Sequence, residues 1–152
     1  MRMTNSHRRV VLGPIAVSGT DWQAARLDLL GTSGVLVNAT YRLHTGGTGG
    51  DLEVKVVCGS HDPDIITSAG IALIPDDDIC YSESAITLAA SATTATQSNI
   101  HSSVGDAAVY DRRGRSQAGY SEEDRFVMLV LKGDGTLNGN VYVSLSAKDA
   151  SN

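Results

Sequence analysis

The sequence has few aromatic residues and no long apolar run. Phe, Trp and Tyr make up 5% of its 152 residues, with a single Trp and a single Phe, so the core must be built from Val, Leu, Ile and Ala. No stretch approaches the roughly 18 consecutive apolar residues of a transmembrane helix. The charged N-terminus is not followed by the apolar region of a signal peptide. We therefore expect a chain that does not associate with a membrane.

Cysteine is equally scarce. Two cysteines, Cys58 and Cys80, are too few for a disulfide framework. Cys58 falls on the inward phase of a predicted strand, and Cys80 lies in the segment IPDDDICYS. We interpret both as buried thiols, and the sequence leaves a disulfide between them open. This cysteine usage fits a protein that folds in a reducing cytoplasm.

Glycine, by contrast, is abundant, and it separates short segments of alternating polarity. The chain has 16 Gly residues, many Ser and Thr, and no long helical pattern, which is typical of an all-β chain with many turns. Its length fits one domain. We predict a β-sandwich or jelly-roll of about eight strands over residues 11–149. An extended basic arm over residues 1–10 precedes it.

The clearest strands flank the glycine-rich loop of residues 46–50. The segments VLVNATYRLH and DLEVKVVC alternate between apolar and polar residues, as half-buried strands do. Their inward residues are Val35, Val37, Ala39, Tyr41 and Leu43, then Leu52, Val54, Val56 and Cys58. A phosphate-binding glycine loop needs a following helix and usually a lysine, whereas Asp51 and a strand follow here. The loop is therefore predicted to be the turn of a β-hairpin.

The C-terminal segment RFVMLVLKG is apolar on both phases of its alternation. Such a strand is buried on both faces, by the opposing sheet and by either a loop of this chain or a neighbouring subunit. The turn DGTLNG and the strand NVYVSLSA follow, so this region is predicted to form a second hairpin.

Other segments have weaker patterns. Pro14 places the strand VVLGPIAVSG at a sheet edge or at a crossing between sheets. A strand is predicted over Arg26–Leu30, and one or two short strands are predicted around Ser68–Gly70. The Ser/Thr/Ala-rich stretch SATTATQSNIHSSVGD is predicted to be a long loop.

No pattern of residues predicts catalysis or a bound cofactor. Asp76, Asp77 and Asp78 form the densest carboxylate cluster. Three consecutive side chains do not converge on one cation without an unusual turn, so a solvated loop is favoured and a cation site is the alternative. The segment HDPD, His61 to Asp64, favours a turn over a metal site. The nucleophile elbow and the zinc and nucleotide motifs are absent, so we predict a non-enzyme without metal or cofactor.

Charge is distributed unevenly along the chain. The net charge is −5, yet the first ten residues hold Arg2, Arg8 and Arg9 and no acid. The remaining residues carry nine basic and seventeen acidic side chains. A basic arm on an acidic body fits binding to an acidic neighbour, including a second copy, and a solvated tail is the alternative. Three arginines make a small footprint for nucleic acid, so direct nucleic-acid binding is not expected.

A second candidate interface is the segment DRRGRSQAGYSEED. Its basic residues are followed by Glu122, Glu123 and Asp124, which suits a surface that meets copies of itself. A self-neutralising exposed loop is the alternative. Tyrosine, which is favoured at interfaces, stands at both ends of the basic part. The candidate interface residues are Arg2, Arg8, Arg9, Tyr110, Arg112, Arg113, Arg115 and Tyr120.

Two parts of the sequence resemble small structural proteins of tailed-bacteriophage virions. The succession VNATYRLHTGGTGGDLEVKVVCGSHDPD is similar to their alternating strand, Gly/Thr loop and LDVKVQ-S-D-like strand. The ending RFVMLVLKGDGTLNGNVYVSL is similar to their R-x-V-x-L-x-x-x-G-x-G-T-x-x-G-x-V-x-V segment. The resemblance covers Val35–Asp62 and Arg125–Leu145. These are strand and turn features, and the middle of the chain, Pro63 to Asp124, matches no pattern.

The resemblance implies a non-enzymatic β-sandwich protein of the virion, assembled in the host cytoplasm. A capsid decoration protein is the first expectation, and a tail or head–tail connector component is the second. The expected partners are further copies of the chain, as a trimer, and the major capsid protein or other virion proteins. Two functions of other classes remain, a carbohydrate-binding adhesion module and a sandwich-fold hydrolase. Trp22 is the one tryptophan available to stack on a sugar.

Overall fold

A computed structural model of the chain describes residues 7–27, 32–89, 96–102 and 126–149. These residues form two four-stranded antiparallel sheets, which confirms the predicted all-β sandwich. The strands are β1 (His7–Val17), β2 (Gln23–Arg26), β3 (Thr32–His44), β4 (Gly50–Gly59), β5 (Ile79–Leu88), β6 (Thr96–Ser102), β7 (Phe126–Gly133) and β8 (Gly139–Asp149). The helices are α1 (Ser68–Ala72) and a 3-10 helix (Asp76–Asp78).

The strand order corrects the two predicted hairpins. The order is β1-β8-β3-β6 in one sheet, here sheet A, and β2-β7-β4-β5 in the other, sheet B. β3 and β4 therefore lie in different sheets, as do β7 and β8, and each connection crosses from one sheet to the other. Alternation shows which residues of a strand face the core. These residues are the same whether the next strand pairs with it in the same sheet or crosses to the opposite sheet. The prediction of two hairpins was wrong for this reason.

The two crossing loops meet at one end of the sandwich. Thr48 and Asn138 exchange backbone hydrogen bonds, with N–O distances of 2.7 and 3.0 Å. A Cβ atom on Gly50 would lie 2.6 Å from the backbone nitrogen of Leu137, and one on Gly47 would lie 2.8 Å from the carbonyl oxygen of Asn138. The glycines of the first loop are therefore needed because a second backbone packs directly against them.

The main core lies between the sheets and is aliphatic, as the scarcity of aromatics predicted. Its side chains come mostly from the four central strands, and the inward phases predicted for β3 and β4 are confirmed where side chains are described. The residues of these two strands that are buried in this core are Ala39, Tyr41, Leu43, Leu52, Val54 and Val56. Cys58 is half-buried and packs against the core. The side chains of Val35, Val37 and Cys80 lie outside the described residues.

Strand β7 is buried on both faces, and a segment of the same chain covers its outer face. Leu129 and Leu131 point into the main core. Met128 and Val130 point to the other side, where a second apolar cluster forms with Trp22, Val57, Ile71 and Ile74. Of the two alternatives for what covers β7, a loop of this chain is the one observed. We call residues 60–78 the cover segment.

Three predicted elements differ in the structure. The strand expected around Ser68–Gly70 is helix α1, which Thr67 caps by accepting a hydrogen bond from the Gly70 backbone nitrogen at 3.1 Å. Residues 96–102 of the predicted loop form strand β6, which pairs with β3 through its backbone. β2 ends at Arg26, where the predicted strand Arg26–Leu30 began; residues 28–30 lie outside the described ranges.

Strand β1 lies at the edge of sheet A, as Pro14 indicated. The register of the pairing between β1 and β8 shifts between Leu12 and Ile15, with Gly13 and Pro14 lying between them. The proline therefore lies in a bulge of an edge strand and not within a central strand. β1 begins at His7, which pairs with Lys148. Residues 7–10 of the predicted arm therefore belong to the sheet of their own chain, and residues 1–6 lie outside the described ranges.

Candidate interaction surfaces

Asp134 holds the two crossing loops together. Its Oδ1 accepts hydrogen bonds from the backbone nitrogens of Thr136 and Leu137, at 2.9 and 3.0 Å, and its Oδ2 accepts one from the Asp51 nitrogen at 3.0 Å. The hydrogen bonds from Leu137, Asp51 and Thr136 hold the pKa of Asp134 below its ordinary value. The folded state therefore favours the ionised carboxylate.

Replacing Asp134 with asparagine should make the stability of the protein less dependent on pH in the acid range. The depressed pKa stabilises the fold above the ordinary pKa of an aspartate, and this contribution is lost as the pH falls through the folded-state value. Chemical denaturation at a series of pH values from about 7 to about 3 checks this. The wild type should lose more stability on acidification than the variant, and equal losses would contradict the role given to this carboxylate.

A shallow depression of about 250 Å³ lies beside this loop junction, on the outer face of sheet B. Its acidic side chains already have partners: Glu53 lies 3.6 Å from the Lys132 ammonium, and Asp51 accepts a hydrogen bond from the Thr87 hydroxyl at 2.9 Å. The wall includes Ala85, a non-glycine residue with φ of 63° in an irregularity of the β4–β5 ladder. Because these carboxylates are paired with neighbouring side chains of the same chain, we interpret the depression as a structural feature and not as a ligand site.

A partly buried cluster of titratable groups lies at the β5 edge. The Tyr81 hydroxyl donates a hydrogen bond to the Glu83 carboxylate. Burial, and then the contact with Glu83, raises the pKa of Tyr81. Burial likewise raises the pKa of Tyr41, whose side chain is fully buried. Both phenols therefore stay protonated at neutral pH, and neither is suited to act as a nucleophile.

The cover segment carries the carboxylates that the sequence singled out. Asp62 and Asp64 lie 3.5 and 2.9 Å from the Arg26 guanidinium, which also stacks on the Phe126 ring at 5.0 Å. The Asp64 backbone nitrogen donates to Asp62 Oδ1 at 2.9 Å, so the HDPD segment forms a turn, as predicted. Among the described residues, no group of three or more His, Cys, Asp or Glu side chains is placed to hold a metal ion.

The three consecutive aspartates form the 3-10 helix and point to different surroundings. Asp78 lies 2.7 Å from the Nε2 of His61 and is half-buried, while Asp76 and Asp77 are exposed. The His61 contact joins the two ends of the cover segment. This cluster is therefore a mostly solvated acidic surface, the favoured of the two interpretations.

Trp22 packs on the outer face of sheet B, where two lysine side chains contact its ring. It is 8% exposed, and the ammonium groups of Lys55 and Lys132 lie 5.1 and 4.9 Å from its ring. Its backbone nitrogen donates to the Ser68 hydroxyl of α1 at 2.8 Å. The ring thus fixes the cover segment to the sheet and offers no open face to a sugar.

The outer face of sheet A, which we call face A, carries arginine, histidine and tyrosine side chains. The Arg42 guanidinium lies 5.4 Å from the Tyr142 ring, and the His44 ring packs edge-on against the same tyrosine at 6.0 Å. Arg9 Nε donates to the Ser144 hydroxyl at 2.6 Å. Beside it, Val11 is 59% exposed. Among the described side chains of β1, β3 and β8, none on this face is acidic.

The structure places few of the interface residues predicted from the sequence. Arg9 lies exposed on face A. The backbone of Arg8 lies in β1, and its side chain is outside the described residues. The other predicted residues lie outside the described ranges: Arg2, Tyr110, Arg112, Arg113, Arg115 and Tyr120. Arg42 and Tyr142, which are in contact on face A, were not among the predicted residues, although the outward phase of VNATYRLH already placed Arg42 and His44 on one face.

Comparison with models of known protein families and with curated protein sequences finds no match to this chain. Within the part of the chain that the structure describes, no helix is long and apolar enough to cross a bilayer.

Proposed function

We propose that this chain is a non-enzymatic structural subunit of a tailed-phage virion, which decorates and stabilises the capsid by binding neighbouring subunits. The proposal rests on the positions, in the fold, of the two segments that resemble virion proteins. Residues 35–62 and 125–145 supply most of β3, β4, β7 and β8, the two central strands of each sheet. The resemblance thus corresponds to one contiguous unit of the fold.

The physical role of such a subunit is to add buried interface between capsid subunits. A stable interface buries about 1,600 Å², and symmetry repeats it over the whole shell, so that modest contacts act together. The sandwich suits this role because the described outward side chains of sheet A are half-buried or exposed, beside an N-terminal strand at the edge of that sheet.

The proposal is tested on virions of the phage whose genome encodes the chain. Mass spectrometry of purified virions should detect the chain, and immunogold labelling should place it on the heads. Labelling confined to tails would replace decoration with a tail or connector role. Absence from purified virions would refute a structural role in the particle.

Binding should depend on the segment before β1. Deleting residues 1–6 leaves β1 and its pairing with β8 complete, so the free energy of unfolding should change by no more than about 0.5 kcal/mol. Co-sedimentation with shells that lack the chain should nevertheless fall to background. Full-length protein is the positive control, and equal binding by both proteins would show that residues 1–6 do not contact the shell.

A further inference from the structure

The two outer faces of the sandwich are unequal. On sheet B, the cover segment and Trp22 bury Met128 and Val130. On sheet A, Arg42, Tyr142 and Ser144 are half-buried, and the described contacts of their side chains are with one another and with His44 and Arg9 of the same sheet. The described parts of the two sheets therefore present different outer surfaces: a segment of the same chain covers sheet B, whereas the described outward side chains of sheet A are half-buried or exposed.

Face A has the composition of a protein interface and a positive character. Tyrosine and arginine are the residues most enriched where proteins bind one another, and here Tyr142 packs between Arg42 and His44. Arg9 and the exposed Val11 extend the surface across β1. β6, the remaining strand of the sheet, contains no acidic residue.

The cover segment has the opposite charge. Its nineteen residues, 60–78, include five aspartates and no lysine or arginine. Asp62 and Asp64 pair with Arg26 and Asp78 pairs with His61, so the negative charge it presents comes mainly from the exposed Asp76 and Asp77. It also exposes two large apolar side chains, Ile65 at 76% and Leu73 at 82%. A positive face with an aromatic centre and a negative face with apolar side chains are complementary in charge and in composition.

We propose that face A of one copy binds the cover segment of a second copy. Because the two surfaces lie on opposite sides of the same molecule, the contact is head-to-tail, and it closes into a ring or continues as an array according to the rotation between copies. This inference rests on the proposed function, since it names which surfaces of the structural subunit join copies to one another.

Neutralising the arginines of face A should weaken self-association. The Arg9→Gln/Arg42→Gln variant removes two positive charges from face A, and the control Arg9→Lys/Arg42→Lys keeps both charges at the same positions. Sedimentation equilibrium at about 50 mM salt should show at least tenfold weaker association for the first variant and little change for the second. For wild type, raising the salt to about 300 mM should also weaken it. Equal effects of the two variants would overturn the assignment to face A.

Charge exchange identifies the partner surface. Arg9→Glu/Arg42→Glu and Asp76→Lys/Asp77→Lys should each be monomeric alone, and an equimolar mixture should form mixed assemblies of two or more copies. Self-association of the Asp76→Lys/Asp77→Lys protein at the wild-type level would overturn the inference. So would a monomeric wild type, or a wild type that binds a DNA or RNA oligonucleotide through face A.

These outcomes are separable from the proposed function. A monomeric wild-type protein that is still present on purified heads refutes the contact between copies and leaves the virion role intact. A self-associating protein that is absent from virions refutes the virion role and leaves the contact intact.

Discussion

Replacing Trp22 with alanine should lower the free energy of unfolding by about 3–5 kcal/mol, the usual cost of removing a buried tryptophan. The ring is 8% exposed and packs over Met128 and Val130, both fully buried. Its loss opens the outer face of sheet B and removes the surface that the cover segment rests on. Urea denaturation followed by circular dichroism measures the change, and it represents a large part of the total stability of a domain of this size.

Trp22→Phe is the matched control, because it keeps an aromatic ring in the same position. It should cost clearly less than the alanine variant, since only part of the buried area is lost. If both substitutions were neutral, the cover segment would not depend on this side chain. The alanine variant should also bind the dye ANS in the absence of denaturant, because apolar surface becomes exposed.

Replacing Leu129 with alanine should destabilise the fold by about 2–5 kcal/mol, because it leaves a cavity between the two sheets. Leu129 is completely buried in the middle of β7, the central strand between β2 and β4. The denaturation midpoint should fall while the slope of the transition stays the same.

Leu73→Ala makes the same chemical change on the cover segment, where the side chain is 82% exposed. It should alter the free energy of unfolding by less than about 0.5 kcal/mol. Similar losses at both positions would mean that the burial assigned to β7 is incorrect. The pair therefore tests directly whether this apolar strand lies inside the sandwich.

Some features followed from the sequence because they depend on single strands. Period-2 alternation identified the inward residues of β4 and those inward residues of β3 whose side chains are described, and two apolar phases identified β7 as buried on both faces. Helix α1 was missed because five residues are too few to show a helical period. Strand β6 was missed because its Ser- and Thr-rich sequence has little apolar signal, and it is held by backbone pairing with β3.

The candidate surfaces depended on contacts between distant parts of the chain. Arg42 and Tyr142 are a hundred positions apart in the sequence, and they meet because β3 and β8 are neighbours in sheet A. The acidic character of residues 60–78 was visible in the sequence. Their position over β7, on the side of the molecule opposite face A, was not.

The sequence by itself determined that this protein is an all-β sandwich with an aliphatic core, and which side chains of its central strands turn inward. Only the tertiary structure decided that the glycine-rich loop crosses between sheets and that the cover segment lies on sheet B, on the side opposite face A. The physical reason is that alternation reports burial, while strand pairing uses backbone hydrogen bonds that every residue except proline can form. Which strands become neighbours is therefore settled by the packing of the whole chain.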